Sequence, residues 1–309
     1  MTTISLKGAL EGMGDANNGY RSATFDRFCQ LLSDYRTSSG VDPYTAGVMV
    51  PAFLSAYTTG AGKSLAIFPA ITRMLPNWSI RYSGLSRLPG ISDYLKSLNL
   101  NHAYKSIYSV GSYTLPSIPT VSINESFSPL LGVDATFQNN LTAKLEYRTT
   151  RVLSLSMTSV QLNEALSRDW VVGLGYKIKD LQLFNSSVNR KIKGTQKKKG
   201  QNQDDADGKS SSSSSKSSSK GINHDLNLRL DISFRNQASI TRDIASGVSN
   251  ASSGNSAFKL SFMADYTLSR LLTLTAYYDQ QTNTPLLASS SYPTTTHDFG
   301  LSVKFSLTR

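Results

Sequence analysis

Apolar and polar residues alternate along much of this chain with the period of a β-strand. In Phe299-Gly300-Leu301-Ser302-Val303-Lys304-Phe305-Ser306-Leu307 every odd position is apolar and every even one small or charged. Leu226, Leu228, Leu230, Ile232 and Phe234 alternate with Asn227, Arg229, Asp231 and Ser233 in the same way. Successive strand side chains point to opposite faces, so each segment has one face that avoids water and one that seeks it. Seven further segments read as strands: 78–82, 98–110, 131–137, 141–157, 170–178, 258–266 and 272–278. The segment 141–157 keeps one parity throughout and is either one long strand or a hairpin turning near Thr149-Thr150. Aromatics cluster toward the ends of the apolar stripes, as in Trp170 to Tyr176 and Phe258 to Tyr266. Alternation of this kind fits a soluble sandwich, whose apolar face is a core, and a membrane barrel, whose apolar face meets lipid.

The connections add a second, independent observation. Reading backward from the C-terminus, long and tight links alternate: long 282–297, tight Ser269-Arg270, long 243–257, tight Arg235-Asn236-Gln237, then a long Ser- and Lys-rich loop. Outer-membrane barrels alternate short periplasmic turns with longer external loops and end in the periplasm, which predicts an external Ser- and Lys-rich loop.

The first third reads differently. Thr24 is a candidate cap for a short helix carrying Phe25, Phe28, Leu32 and Tyr35 at helical spacing, with Gly40 beyond its end. Pro51 suits the first turn of a second helix that runs through Tyr57 and closes at Gly60. The predicted organisation is a short-helical or irregular segment over 1–75 and barrel strands over 76–309, interrupted by a disordered loop at 183–223.

Composition narrows function mainly by exclusion. With 309 residues, 39% hydrophobic content and a mean hydropathy of -0.25, the chain has no run approaching the ~18 uncharged apolar residues of a spanning helix. Of its net charge of +11, the stretch 190–220 supplies nine basic and three acidic residues, leaving +5 elsewhere. The basicity therefore belongs to a solvated loop, and nucleic acid is not an expected partner. The first ten residues lack a secretory h-region, so a cytosolic chain or a missing N-terminus is expected. Cys29 is the only cysteine, which excludes internal disulfides and cysteine-based metal clusters.

No chemistry stands out. Gly60-Ala61-Gly62-Lys63-Ser64 ends like a phosphate-binding loop, but Tyr57 occupies the position of its first glycine. His102, His224 and His297 are isolated, without metal-ligand spacing. There is no Gly-x-Ser-x-Gly elbow and no distinct carboxylate pair. No catalytic, cofactor-binding or metal-binding residue is predicted, and the chain is not expected to be an enzyme.

Several stretches, in order, carry a family resemblance. They are Pro76-Asn77-Trp78 with Tyr82-Ser83-Gly84-Leu85, Ser128-Pro129-Leu130-Leu131-Gly132-Val133-Asp134-Ala135-Thr136-Phe137, Asn139-Asn140-Leu141 and Arg151-Val152-Leu153-Ser154-Leu155-Ser156. Val172-Gly173-Leu174-Gly175-Tyr176-Lys177, Asp225-Leu226-Asn227-Leu228-Arg229, Ala264-Asp265-Tyr266-Thr267-Leu268-Ser269 and Tyr292-Pro293-Thr294 continue it. The pattern resembles the C-terminal region of the SprA (Sov) family of gliding-motility proteins, over roughly 48–307 apart from the loop. The resemblance implies a segment of a very large antiparallel transmembrane β-barrel: the outer-membrane, protein-conducting translocon of the type IX secretion system in Bacteroidetes. Its implied partners are outer-membrane lipid, secreted cargo, plug or gating subunits and the remaining strands of a longer chain, with no cofactor. Asn227, Arg229, Asp231 and Ser233 would then face the lumen, and Leu226, Leu228, Leu230, Ile232 and Phe234 the lipid. Family members are much longer and start with a secretion signal, so this chain is expected to be a C-terminal piece whose last strand lacks its closing partner. The chain also ends Leu307-Thr308-Arg309, with its last aromatic at Phe305, unlike many barrels. The alternative is a soluble β-sandwich serving binding or adhesion at the cell surface.

Overall fold

The computed structural model describes residues 10–12, 14, 16–40, 42–58, 77–111, 120–179, 181, 224–269, 271–287 and 292–306. Among these residues two α-helices, α1 (Ala23–Ser39) and α2 (Ala46–Tyr57), precede nine strands. These are β1 (Trp78–Tyr82), β2 (Leu95–Val110), β3 (Thr120–Phe137), β4 (Leu141–Ser156), β5 (Gln161–Ile178), β6 (Leu226–Asp243), β7 (Ser249–Thr267), β8 (Leu272–Pro285) and β9 (Thr294–Phe305). All nine lie in one antiparallel sheet in sequence order, each paired with its chain neighbours. The all-β expectation and the short helical N-terminal part hold. Among the described residues the sheet does not close on itself: β1 and β9 form its two edges.

Every segment marked by alternation is a strand, but most strands are longer than their marked parts. β3 begins at Thr120 rather than 131, β5 at Gln161 rather than 170, and β7 at Ser249 rather than 258. β4 is one strand, not a hairpin: Thr149 and Thr150 pair in line with Arg168 and Ser167 of β5. The predicted turn at Arg235-Asn236-Gln237 is wrong, because these residues sit in the middle of β6, paired with Asp169, Arg168 and Ser167. The predicted long connection over 243–257 shrinks to a tight turn in which Gly247 N donates to Asp243 O and Asp243 N to Val248 O. The tight link after β7 holds, with Leu268 N donating to Leu272 O.

These corrections move the loops. One end of the sheet, the near end, carries the links 83–94, 138–140, 179–225 and 268–271 and the C-terminal end of β9. The far end carries 111–119, 157–160, 244–248 and 286–293. The Ser- and Lys-rich loop therefore leaves from the C-terminal end of the sheet, and the regular long and tight alternation disappears. The loop 183–223 itself lies outside the described residues, as does Gly60-Ala61-Gly62-Lys63-Ser64.

α1 is capped by Ser22, not Thr24: the Ser22 hydroxyl accepts from Phe25 N at 3.2 Å. The Thr24 hydroxyl instead donates to Glu11 Oε2 at 2.6 Å. Gly40 closes the helix in the left-handed region at φ 66°. α2 starts five residues before Pro51, which lies inside it, and ends at Thr58. The missing backbone donor of Pro51 is tolerated because tertiary burial holds the helix: Val48, Met49, Val50, Phe53, Leu54, Ala56 and Tyr57 are all buried. With Phe25, Phe28 and Leu32 of α1 they pack on Tyr108, Val121, Ile123, Leu153, Leu155 and Leu162, at the far end of β2 to β5.

Candidate functional surface

Register assigns every strand residue to one of two faces. On one face, Leu141, Ala143, Leu145 and Tyr147 of β4 pair with Tyr176, Leu174, Val172 and Trp170 of β5. That row continues through Leu228, Leu230, Ile232 and Phe234 of β6 to Ala264, Phe262, Leu260 and Phe258 of β7. Leu274, Ala276 and Tyr278 of β8 and Val303, Leu301 and Phe299 of β9 extend it to the edge. Nothing among the described residues covers this belt. Trp170 and Phe234 are each 44% exposed in mid-sheet, and Phe299 is 79% exposed at the edge.

The belt stops abruptly toward the far end. On six consecutive strands its last side chain is aromatic: Tyr147, Trp170, Phe234, Phe258, Tyr278 and Phe299. The next residue on the same face is polar in every case: Thr149, Arg168, Asn236, Ser256, Gln280 and His297. Tyr147 and Trp170 stack, with centroids 4.3 Å apart. Leu226 to Phe234 makes the belt nine residues high, about 27 Å along the strand at ~3.4 Å per residue.

Beyond this rim the same face of β2 to β6 is buried under the helices. It carries an ionic ladder across five strands. Tyr104 of β2 donates to Glu125 of β3 at 2.8 Å, and Glu125 accepts from Arg151 Nη2 of β4 at 2.6 Å. Arg151 also lies 4.0 Å from Glu164 of β5, which holds Arg242 of β6 at 2.8 Å. Two arginines thus face two glutamates in a neutral, nearly water-free row. Burying any one of these charges without its partner would be costly, and each has an opposite charge beside it. The helices complete it: Arg151 lies 5.8 Å from the centre of the Tyr57 ring and Arg242 5.4 Å from that of Phe25. Burial foremost, then the Glu164 carboxylate, pushes the Tyr57 phenol well above its usual pKa. Arg242 Nη1 donates to Tyr20 O at 2.6 Å and Arg168 Nη2 to Glu11 O at 2.5 Å, strapping the N-terminal segment to the sheet.

The opposite face is polar along its length. On β6 it shows Asn227, Arg229, Asp231, Ser233, Arg235, Gln237, Ser239 and Thr241. Lys144, Glu146 and Arg148 of β4, Asp169 and Lys177 of β5 and Lys259 and Asp265 of β7 share it. Asn227, Arg229, Asp231 and Ser233 therefore do lie opposite Leu226 to Phe234.

The three histidines stay apart. His102 Nδ1 bonds Leu130 O at 2.7 Å, His297 Nδ1 bonds the Tyr278 hydroxyl at 3.0 Å, and His224 stacks near Tyr266. Among the described residues no group of three or more His, Cys, Asp or Glu side chains is placed to hold a metal. Cys29 is half-buried in α1, and burial, with Asp26 beside it, raises its thiol pKa to about 11. The ladder and the polar step behind the rim escaped sequence inspection. Their signal was the charged or polar residue interrupting each apolar stripe at a common distance from the belt.

The chain matches no protein-family model, and no curated protein is significantly similar to it.

Proposed function

We propose that this sheet is a stretch of the wall of a large outer-membrane β-barrel, a non-enzymatic protein-conducting translocon of the type IX secretion, SprA-like kind, serving protein export to the cell surface and gliding motility. The observation that carries the proposal is the uncovered apolar belt ending in an aromatic residue on six successive strands. Tilted by the ~40° usual for barrels, its 27 Å becomes ~20 Å along the membrane normal, near the ~25 Å apolar band of such proteins. Lipid supplies the cover that the belt lacks. The polar face then lines an aqueous lumen through which cargo passes, and the open edges await the remaining strands of a longer barrel. A soluble sandwich needs a second sheet on the apolar face, and the described residues form one sheet only.

Two further assignments follow. The helices share the apolar face, so they stand outside the wall above the aromatic rim and do not plug the lumen. Barrels normally keep their C-terminus in the periplasm, so the 179–225 loop, at the same end, is periplasmic, the reverse of the expectation from loop lengths.

The test uses single cysteines in a Cys29→Ser background, labelled with an environment-sensitive fluorophore and reconstituted with bromine-quencher lipids. Quenching is expected at Leu230 and Val303 and not at Arg229 or Lys304; equal quenching on both faces would sink the wall assignment. Protease added to intact cells should spare the loop and cut it only after the outer membrane is permeabilised.

A further inference from the structure

On the polar face, level with the aromatic rim, three cationic side chains from three strands converge on one depression of about 240 Å³. Arg148 of β4, Arg235 of β6 and Lys259 of β7 line it, with Asp169, Ser233 and Gln281. Each arginine is fixed through Nε alone: Arg148 Nε donates to Glu146 Oε1 at 2.6 Å, and Arg235 Nε to Asp169 Oδ1 at 2.8 Å. The terminal amino groups of both guanidinium groups have no hydrogen-bond acceptor among the described residues, and Lys259 has no ion pair there. The carboxylates thus orient the two arginine forks without using up their donors. This is how a preorganised oxyanion site is built, since a fork held at Nε presents its Nη groups as a pair.

We infer that this depression is an oxyanion subsite for carboxylate groups of a polypeptide moving along the polar face. It deepens the proposed function and rests on that face being the lumen wall. Charge sets the class of ligand. Asp169 lies within the depression, and Asp231 and Asp279 occupy the neighbouring rows of the same face. Arg148 is balanced by Glu146 and Arg235 by Asp169, so Lys259 leaves the depression one positive charge in excess, which favours a single negative charge over a dianion such as phosphate. Ser233 and Gln281 add neutral hydrogen-bonding groups beside the charged ones, which suits a side chain borne on a peptide backbone. The site is open and shallow, so binding is weak, falls with salt, and permits release.

The test measures binding of a capped tetraglutamate peptide to the full chain in detergent micelles by titration calorimetry at low salt. Acetate and inorganic phosphate serve as competitors, and a capped tetralysine peptide, which should not bind, as the control for charge sign. K259Q and R235Q should each weaken tetraglutamate binding roughly tenfold, the scale of one lost charged hydrogen bond. Lys304→Gln, on the same face near the C-terminus, should leave it unchanged. Equal affinity in all variants, or none in the wild type, overturns the subsite. Phosphate displacing the peptide at lower concentration than acetate overturns the carboxylate assignment. Heat-modifiable migration and partition into vesicles, measured on the same preparation, report on the wall independently: a soluble protein that still binds the peptide would refute the wall and retain the site.

Discussion

Replacing Glu125 with Gln should destabilise the fold disproportionately for a change of one atom. Glu125 is 1% exposed and accepts three hydrogen bonds, two from Arg151 and one from Tyr104. Gln keeps the shape but removes the charge, leaving Arg151 buried opposite a neutral amide. Removing one partner of a buried pair costs ~3–5 kcal/mol. The lower end, about 3 kcal/mol, applies here because Glu164 still faces Arg151 at 4.0 Å. Replacing both, as in Glu125→Leu with Arg151→Met, removes the stranded charge and should recover at least ~1 kcal/mol of that loss. Urea unfolding in detergent, followed by tryptophan fluorescence and extrapolated linearly, measures both. An E125Q variant within ~0.5 kcal/mol of the wild type, or a double variant as unstable as the sum of the two single ones, would refute the charge accounting.

Other expectations are independent of the ladder. Ile232→Lys, in the belt, should cost ~2–4 kcal/mol of folding into vesicles, whereas Ser233→Lys next to it should cost under ~1 kcal/mol. Ser22→Ala should destabilise α1 by about 1 kcal/mol and raise hydrogen exchange in its first turn. Gly254→Ala should lower the unfolding midpoint, because a Cβ there would meet Gln237 O at 2.6 Å and Ala238 Cα at 3.0 Å, both backbone. The Cys29 thiol, raised from 9.0 to about 11, should be alkylated far more slowly at pH 8 than an ordinary cysteine. The unfolded thiol ionises first, so its contribution to stability is intact below pH 9 and declines between pH 9 and about 11; a Cys29→Ser variant should lose that part of the alkaline decline.

The belt was legible in the sequence because lipid-facing or core-facing strands keep strict alternation. Leu226 to Phe234 and Phe299 to Phe305 show it without a break. The other half of the strands was hidden for the same physical reason. Where helices cover the face, Glu125, Glu164 and Arg242 replace apolar residues in β3, β5 and β6, and the pattern there degrades into something that reads as loop. Arg235-Asn236-Gln237 looked like a turn because the belt ends at Phe234 and Asn236 is the polar residue behind the rim. That error shifted the count of connections by one and moved the Ser- and Lys-rich loop to the wrong end. Helix starts were misplaced by a few residues: Ser22 caps α1, while the Thr24 hydroxyl is engaged by Glu11, a contact thirteen residues away in sequence that no local pattern announces.

The bond between Arg242 and Tyr20 spans 222 residues, whereas the sheet itself is made of neighbours in sequence. Apart from β5 and β6, which the long 179–225 link joins, neighbouring strands can therefore pair as soon as both exist, with little loop closure to offset. The N-terminal helices cannot find their final seat until β6 is in place and supplies Arg242. The two helices thus dock late, and their docking reports that the first six strands have paired in the correct register. A strand slipped by one residue would turn Arg151 or Glu164 to the other face and leave the helices nothing to clasp.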